Sequence, residues 1–128
     1  MGATKTKPAL FDVIEVVVEI PEHHLHPGAR GAIVQCHADE TYEVEFTNEE
    51  GETETLCALS AEQFIIVWQA NTRTWLPTGE QIASIVAQLP EDARQEVLEF
   101  AQFVHARRQR QRATAESDLR PKVTEPSA

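Results

Sequence analysis

Apolar and polar residues alternate most cleanly at 42–46, where Tyr42, Val44 and Phe46 share one side and Glu43 and Glu45 the other. A period of two predicts an antiparallel strand with one face in a core and one in water. Phe11 to Ile20 (FDVIEVVVEI) is rich in β-branched residues and predicts a strand that Pro21 stops. Ala32 to His37, Thr53 to Leu59 and Phe64 to Trp68 read as three more. The intervening turns carry Pro27-Gly28 with Gly31, Ala38-Asp39-Glu40, Asn48-Glu49-Glu50-Gly51 and Ser60-Ala61-Glu62. Gly28 and Gly31 are expected to supply a positive φ or a close backbone approach where the second strand begins.

After Pro77 the period changes. Ile82, Ile85, Val86 and Leu89 fall at helical spacing, with Thr78 placed as a cap. Pro90 then sits where a second helix starts, and Ala93, Val97, Phe100, Ala101 and Val104 share one stripe of it. Phe103 lies at the edge of that stripe and Leu98 well outside it. The pattern predicts a mainly β plus α chain: a small five-stranded antiparallel SH3-like barrel over 10–68, a linker over 69–78, and two C-terminal amphipathic helices over 79–112. The polar segments 1–9 and 113–128 are expected to be disordered. Two helices of this length cannot bury their apolar stripes as an independent domain, so they must lie on the barrel, on a second copy or on another protein.

Charge changes the picture by its distribution. The 128 residues carry a net charge of −10. Residues 1–70 hold three Lys and Arg against thirteen Asp and Glu, and residues 71–128 hold eight of each. The acidic barrel repels phosphate backbones, whereas Arg107, Arg108, Arg110 and Arg112 form a basic cluster at the end of the second helix. The opening MGATKTKPALF lacks the apolar run of a secretory leader, and no segment has the roughly eighteen apolar residues of a membrane span. A cytoplasmic protein with no membrane partner is expected, with Cys36 and Cys57 as buried free thiols.

No catalytic constellation emerges. His23, His24 and His26 share a loop, with Cys36, His37 and Cys57 elsewhere, but zinc needs four converging ligands, usually in paired short spacings. No metal and no other cofactor is expected. The acids from Asp39 to Glu54 fall on turns and on the polar side of a strand, which predicts a solvated face rather than an acid/base pair. Cys36 as a nucleophile would need a base and an activating cation placed to act on it, and no such arrangement is evident, while Gly28 and Gly31 precede a strand rather than a phosphate-binding helix.

The segments LFDVIEVVVEIPEHHLHPGARGAIVQ and YEVEFTNEEGETETLCALSAEQF resemble a family of short prokaryotic proteins of unknown function with an SH3-like barrel. The entry Gly28-x-x-Gly31-x-Ile33-Val34 is also similar to the KOW-type turn of ribosomal and transcription-elongation barrels, whose basic loops bind RNA; here the loop offers only Arg30. The segment QIASIVAQLPEDARQEVLEFAQFVHARRQ, with its "LP" and its Phe100-x-x-Phe103, looks like a helical module of antitoxin-like proteins. That resemblance implies a protein-binding helix that acts beside an endoribonuclease toxin. The expected function is therefore a non-enzymatic interaction module, antitoxin-like or accessory. It would bind a toxin, a larger complex or itself through Leu89, Val97, Leu98, Phe100, Phe103 and Val104. The alternative is a KOW-like nucleic-acid or ribosome-associated protein using Arg107, Arg108, Arg110 and Arg112.

Overall fold

A computed structural model describes residues 7–119. The remaining parts of the segments expected to be disordered, 1–6 and 120–128, lie outside the described residues. The elements are β1 (Val13–Val16), β2 (Arg30–Cys36), β3 (Thr41–Thr47), β4 (Thr53–Ser60), β5 (Phe64–Gln69), β6 (Thr74–Trp75), α1 (Thr78–Ala87) and α2 (Glu91–Leu119). The strands form one antiparallel sheet in the order β4-β3-β2-β1-β5-β6.

This sheet has six strands and is open, which corrects the expected five-stranded closed barrel. The sixth strand comes from the segment read as a linker. Thr74 and Trp75 turn back onto β5, with Trp75 opposite Trp68 and Thr74 opposite Gln69. That hairpin occupies the β5 edge, so β4 and β6 end the ladder on opposite sides.

Although open, the sheet is strongly curled. Only Ala61–Gln63, a single 3₁₀ turn, joins β4 to β5. Such a link reaches at most about 14 Å, whereas four strand spacings across a flat sheet amount to about 19 Å. Tyr42 on β3 meets Phe64 on β5 edge to face, with ring centroids 5.8 Å apart, where three flat spacings would be about 14 Å. The inner face thus closes on itself around Ile14, Val16, Ile33, Tyr42, Val44, Phe46, Cys57, Leu59, Phe64 and Ile66. In the turn itself the Gln63 side chain accepts a bond from the Ser60 amide at 2.9 Å.

Close approach has a specific requirement at Gly31, which is buried on β2. A Cβ there would lie 2.7 Å from Val44 Cγ1 and 2.8 Å from the Glu45 carbonyl oxygen. Gly28 serves differently, with a φ of 103° in the turn that enters β2. β1 is shorter than the apolar run predicts. Phe11 has a φ of 70°, and the chain bends at Val18 before Ile20 and Leu25 exchange two backbone bonds across the histidine loop.

Asp12 is the one buried charged residue of the described region, 2% exposed. Its carboxylate accepts from the Ala9 amide at 3.0 Å and from the Ala70 amide at 2.9 Å. It ties the turn before β1 to the end of β5, and two charge-assisted bonds offset its loss of water.

α1 begins at Thr78, one residue earlier than a Thr78 cap would place it, with Pro77 at the N-cap. Its ends are held by glutamines. The Gln81 amide donates to the Leu76 carbonyl at 3.0 Å, and the Gln88 amide donates to the carbonyls of Ala61 at 3.2 Å and Phe64 at 3.3 Å. α1 belongs to the compact unit of the sheet, which ends at Gln88, and α2 to the unit that begins at Leu89. The two helices expected as a pair over 79–112 therefore fall in different units.

α2 also runs past Arg112, through part of the segment expected to be disordered. Ala113, Ala115 and Glu116 are good helix formers, and neither Gly nor Pro occurs before Pro121. The Thr114 hydroxyl donates back to the Arg110 carbonyl at 3.1 Å, and Arg112 pairs with Glu116 at 3.7 Å.

Gly31→Ala is expected to cost about 1–3 kcal/mol, because a backbone oxygen blocks the added methyl; urea unfolding measures it, and an unchanged midpoint would refute the close approach. Burial raises the pKa values of the Tyr42 phenol and the Cys57 thiol. Both groups hold protons more tightly folded than unfolded. Their contribution is complete below the unfolded values, about 8.5 for the thiol and 10 for the phenol, and is lost as pH rises beyond them. The urea midpoint should fall above about pH 8.5, and Cys57→Ala should flatten the first part of that fall.

Candidate interaction surface

The carrying feature of α2 is an apolar stripe on a helix with no buried residue among 91–116. Helix formers such as Ala, Gln, Glu and Arg dominate 91–119, and Glu91 and Asp92 suit the N-terminal dipole. The first helical bond runs from the Arg94 amide to the Pro90 carbonyl at 2.9 Å. Among residues 91–116 none is buried. A turn of 100° per residue puts Ala93, Val97, Phe100 and Val104 within one stripe.

Of the residues expected to bind a partner, five lie on this helix. Val97 and Val104 are half-buried, and Leu98, Phe103 and Phe100 are exposed, Phe100 most of all at 67%. Phe100 and Phe103 have ring centroids 6.3 Å apart, and the Arg107 guanidinium lies 5.6 Å over the Phe103 ring. These three side chains form one continuous ledge. Leu98 stands about 100° round the helix from Val97, apart from the ledge. Leu89, half-buried, precedes the helix.

Arg107, Arg108, Arg110 and Arg112 are all exposed and follow the apolar stretch directly. The helix is therefore divided along its length. Residues 91–104 carry four acids and one arginine, while residues 105–119 carry four arginines and two acids.

The sheet presents a second apolar surface that the sequence pattern did not reveal. Directly opposed residues run Leu56, Glu45, Ala32, Val13, Trp68, Trp75 across all six strands. This row lies on the outer face, since its members alternate with buried Ile14, Ile33 and Val44. Leu56 and Trp75 are exposed and the others half-buried. Arg30 spans the row's edge: its guanidinium lies 5.5 Å over Trp75 and donates to Glu15 at 3.0 Å. The two tryptophans flanking QANTRT stand opposite each other across this hairpin.

The groups weighed for chemistry stand apart. Among the described residues no three His, Cys, Asp or Glu side chains come together as a metal site. His26 pairs with Glu19 at 2.7 Å in the open, and His37 lies 3.6 Å from Glu43. A bond from the Thr41 hydroxyl lowers the Asp39 carboxyl below its ordinary value. Cys57 is buried as expected, but Cys36 is exposed: it stands opposite buried Tyr42 at the last position of β2, outside the core cluster.

Residues 10–66 match the model of a family described as a domain of unknown function (DUF4926). The matched span runs from the turn before β1 into β5 and stops short of both helices. The chain matches no curated protein and no solved structure. Among the described residues no helix is long and apolar enough to cross a membrane.

Proposed function

We propose that this chain is a non-enzymatic protein-interaction module, an antitoxin-like or accessory component that binds a partner protein through its C-terminal helical segment. The observation that carries the proposal is the ledge of Phe100, Phe103 and Arg107 on a 29-residue helix with no buried residue among 91–116. Most helices in proteins owe their stability to packing of an apolar face, and an uncovered face of this kind is stabilised when a groove or another helix covers it. The likeness of 81–108 to antitoxin-like modules supports the same use, because the ledge lies inside that segment.

The exposed arginines support a second use of the same helix, contact with nucleic-acid phosphates. That use predicts affinity falling steeply with salt, by roughly 0.9 log units per decade of salt for each phosphate neutralised.

The deciding experiment is gentle isolation of the tagged chain from its own cells, with everything bound to it identified. A stoichiometric protein should travel with the native chain. The double variant Phe100→Asp with Val104→Asp should lose it, since each change buries a charge against an apolar partner and weakens binding about a hundredfold or more, while the urea midpoint of the sheet stays unchanged. A companion retained by that variant would refute this surface.

A further inference from the structure

Resting on the second use of α2, contact with nucleic-acid phosphates, we infer that the nucleic acid is duplex DNA and that residues 107–115 enter its major groove. From Phe100 to Ala115 the helix holds four arginines and no acid. Glu99, the last acid before them, lies about 12 Å from Arg107 along the axis. That exceeds the roughly 8 Å over which charges act at physiological salt. The stretch therefore presents its positive charge to an anion despite the acids elsewhere in the chain.

The directions of the arginines choose the ligand. At 100° per residue, measured from Gln111, Arg107 stands at about −40° and Arg110 at about −100°. Arg108 stands at about +60° and Arg112 at about +100°. Two guanidinium groups thus lie on each side of Gln111, while Ala106, Gln109 and Ala113 fill the back of the helix. All of these side chains are exposed. The exposed pair of Arg112 with Glu116, 3.7 Å apart, is weak enough to exchange for a phosphate.

A helix with its side chains is about 10–12 Å across, and the major groove of B-DNA is about 12 Å wide with phosphates along both walls. Seated there with Gln111 toward the floor, the helix sends one arginine pair to each backbone. Gln111, whose amide matches the adenine edge, and Ala115 at about +40° then face the bases. A flat anionic surface would meet one arginine pair and leave the other in water. Duplex RNA closes its major groove to a helix. Single strands are held by stacking on aromatic rings, and none follows Phe103 in the chain.

Fluorescence anisotropy of the purified full chain tests this with three labelled probes: a short mixed-sequence DNA duplex, one of its strands, and duplex RNA of the same sequence. The DNA duplex should bind with a dissociation constant between about 1 and 100 µM at about 0.1 M salt. Each of the other probes should bind at least about tenfold more weakly. The slope of log affinity against log salt should be about −3.6, from four phosphates at about 0.9 each, and each arginine changed to Gln should remove about 0.9. Gln111→Glu and Gln109→Glu make the same charge change on opposite sides of the helix. The first sets a carboxylate between two phosphate walls and should weaken binding at least about tenfold, the second less than about threefold. Circular dichroism checks that each variant keeps its helix; should one lose it, the comparison of probes still decides.

Single strands or duplex RNA bound as tightly as duplex DNA, or equal losses in the two Glu variants, overturn the groove assignment and leave the phosphate contact standing. A chain that binds none of the three probes at about 0.05 M salt overturns both.

Discussion

Three residues join β4 to β5, and that link is too short to cross a flat sheet. The curl of the sheet follows from it, and most of the core follows from the curl. Tyr42 and Phe64 meet only because strands three apart in the ladder are brought face to face. The same tightening brings the β3 backbone against β2 at Gly31, where no side chain fits. Asp12 then reinforces the β1–β5 pairing by accepting from amides just before β1 and just after β5, and Gln88 pins the end of α1 to the carbonyls beside the link itself. A small domain buries too little apolar surface to rely on burial alone, and here backbone amides and carbonyls held by side chains supply the rest.

Local pattern located the strands well where one face is wet and one dry. At 42–46 the alternation survives directly as buried and half-buried positions. It misjudged β1, because FDVIEVVVEI has the composition of a long strand while the bend at Val18 is set by pairing with β5 and by the loop that Ile20 and Leu25 close. Closure into a barrel was beyond local pattern altogether. It depended on which strand takes the β5 edge, and a two-residue strand decided it. Asp12 looked like an interruption of an apolar run; its acceptors find their donors at Ala9 and at Ala70, the second 58 positions away. Cys36 was misplaced because it ends β2, where a residue opposite buried Tyr42 still lies open to water.

The helical segment was legible in a different degree. Its stripe and its arginines could be read from spacing, because a helix carries its geometry within itself. Where it stops could not, since a polar composition was taken as disorder although Ala, Gln, Glu and Arg are all compatible with a helix. Nor did spacing tell that α1 and α2 fall in different compact units, with the boundary at Leu89.

Two of the apolar surfaces exposed among the described residues differ in shape, and the shape sets what each can do. The row from Leu56 to Trp75 lies flat on a sheet, is interrupted by Glu45, and is half-screened by its neighbours. The α2 surface consists of separate knobs on a convex cylinder, with Phe100 two-thirds exposed. Knobs suit insertion between the side chains of another helix, where each is surrounded on four sides, whereas a flat mixed row offers little depth to a ligand. The charge split of α2 adds what shape alone lacks. Apolar knobs accept many grooves, but a helix acidic at one end and basic at the other rejects a parallel copy and favours a partner of reversed polarity.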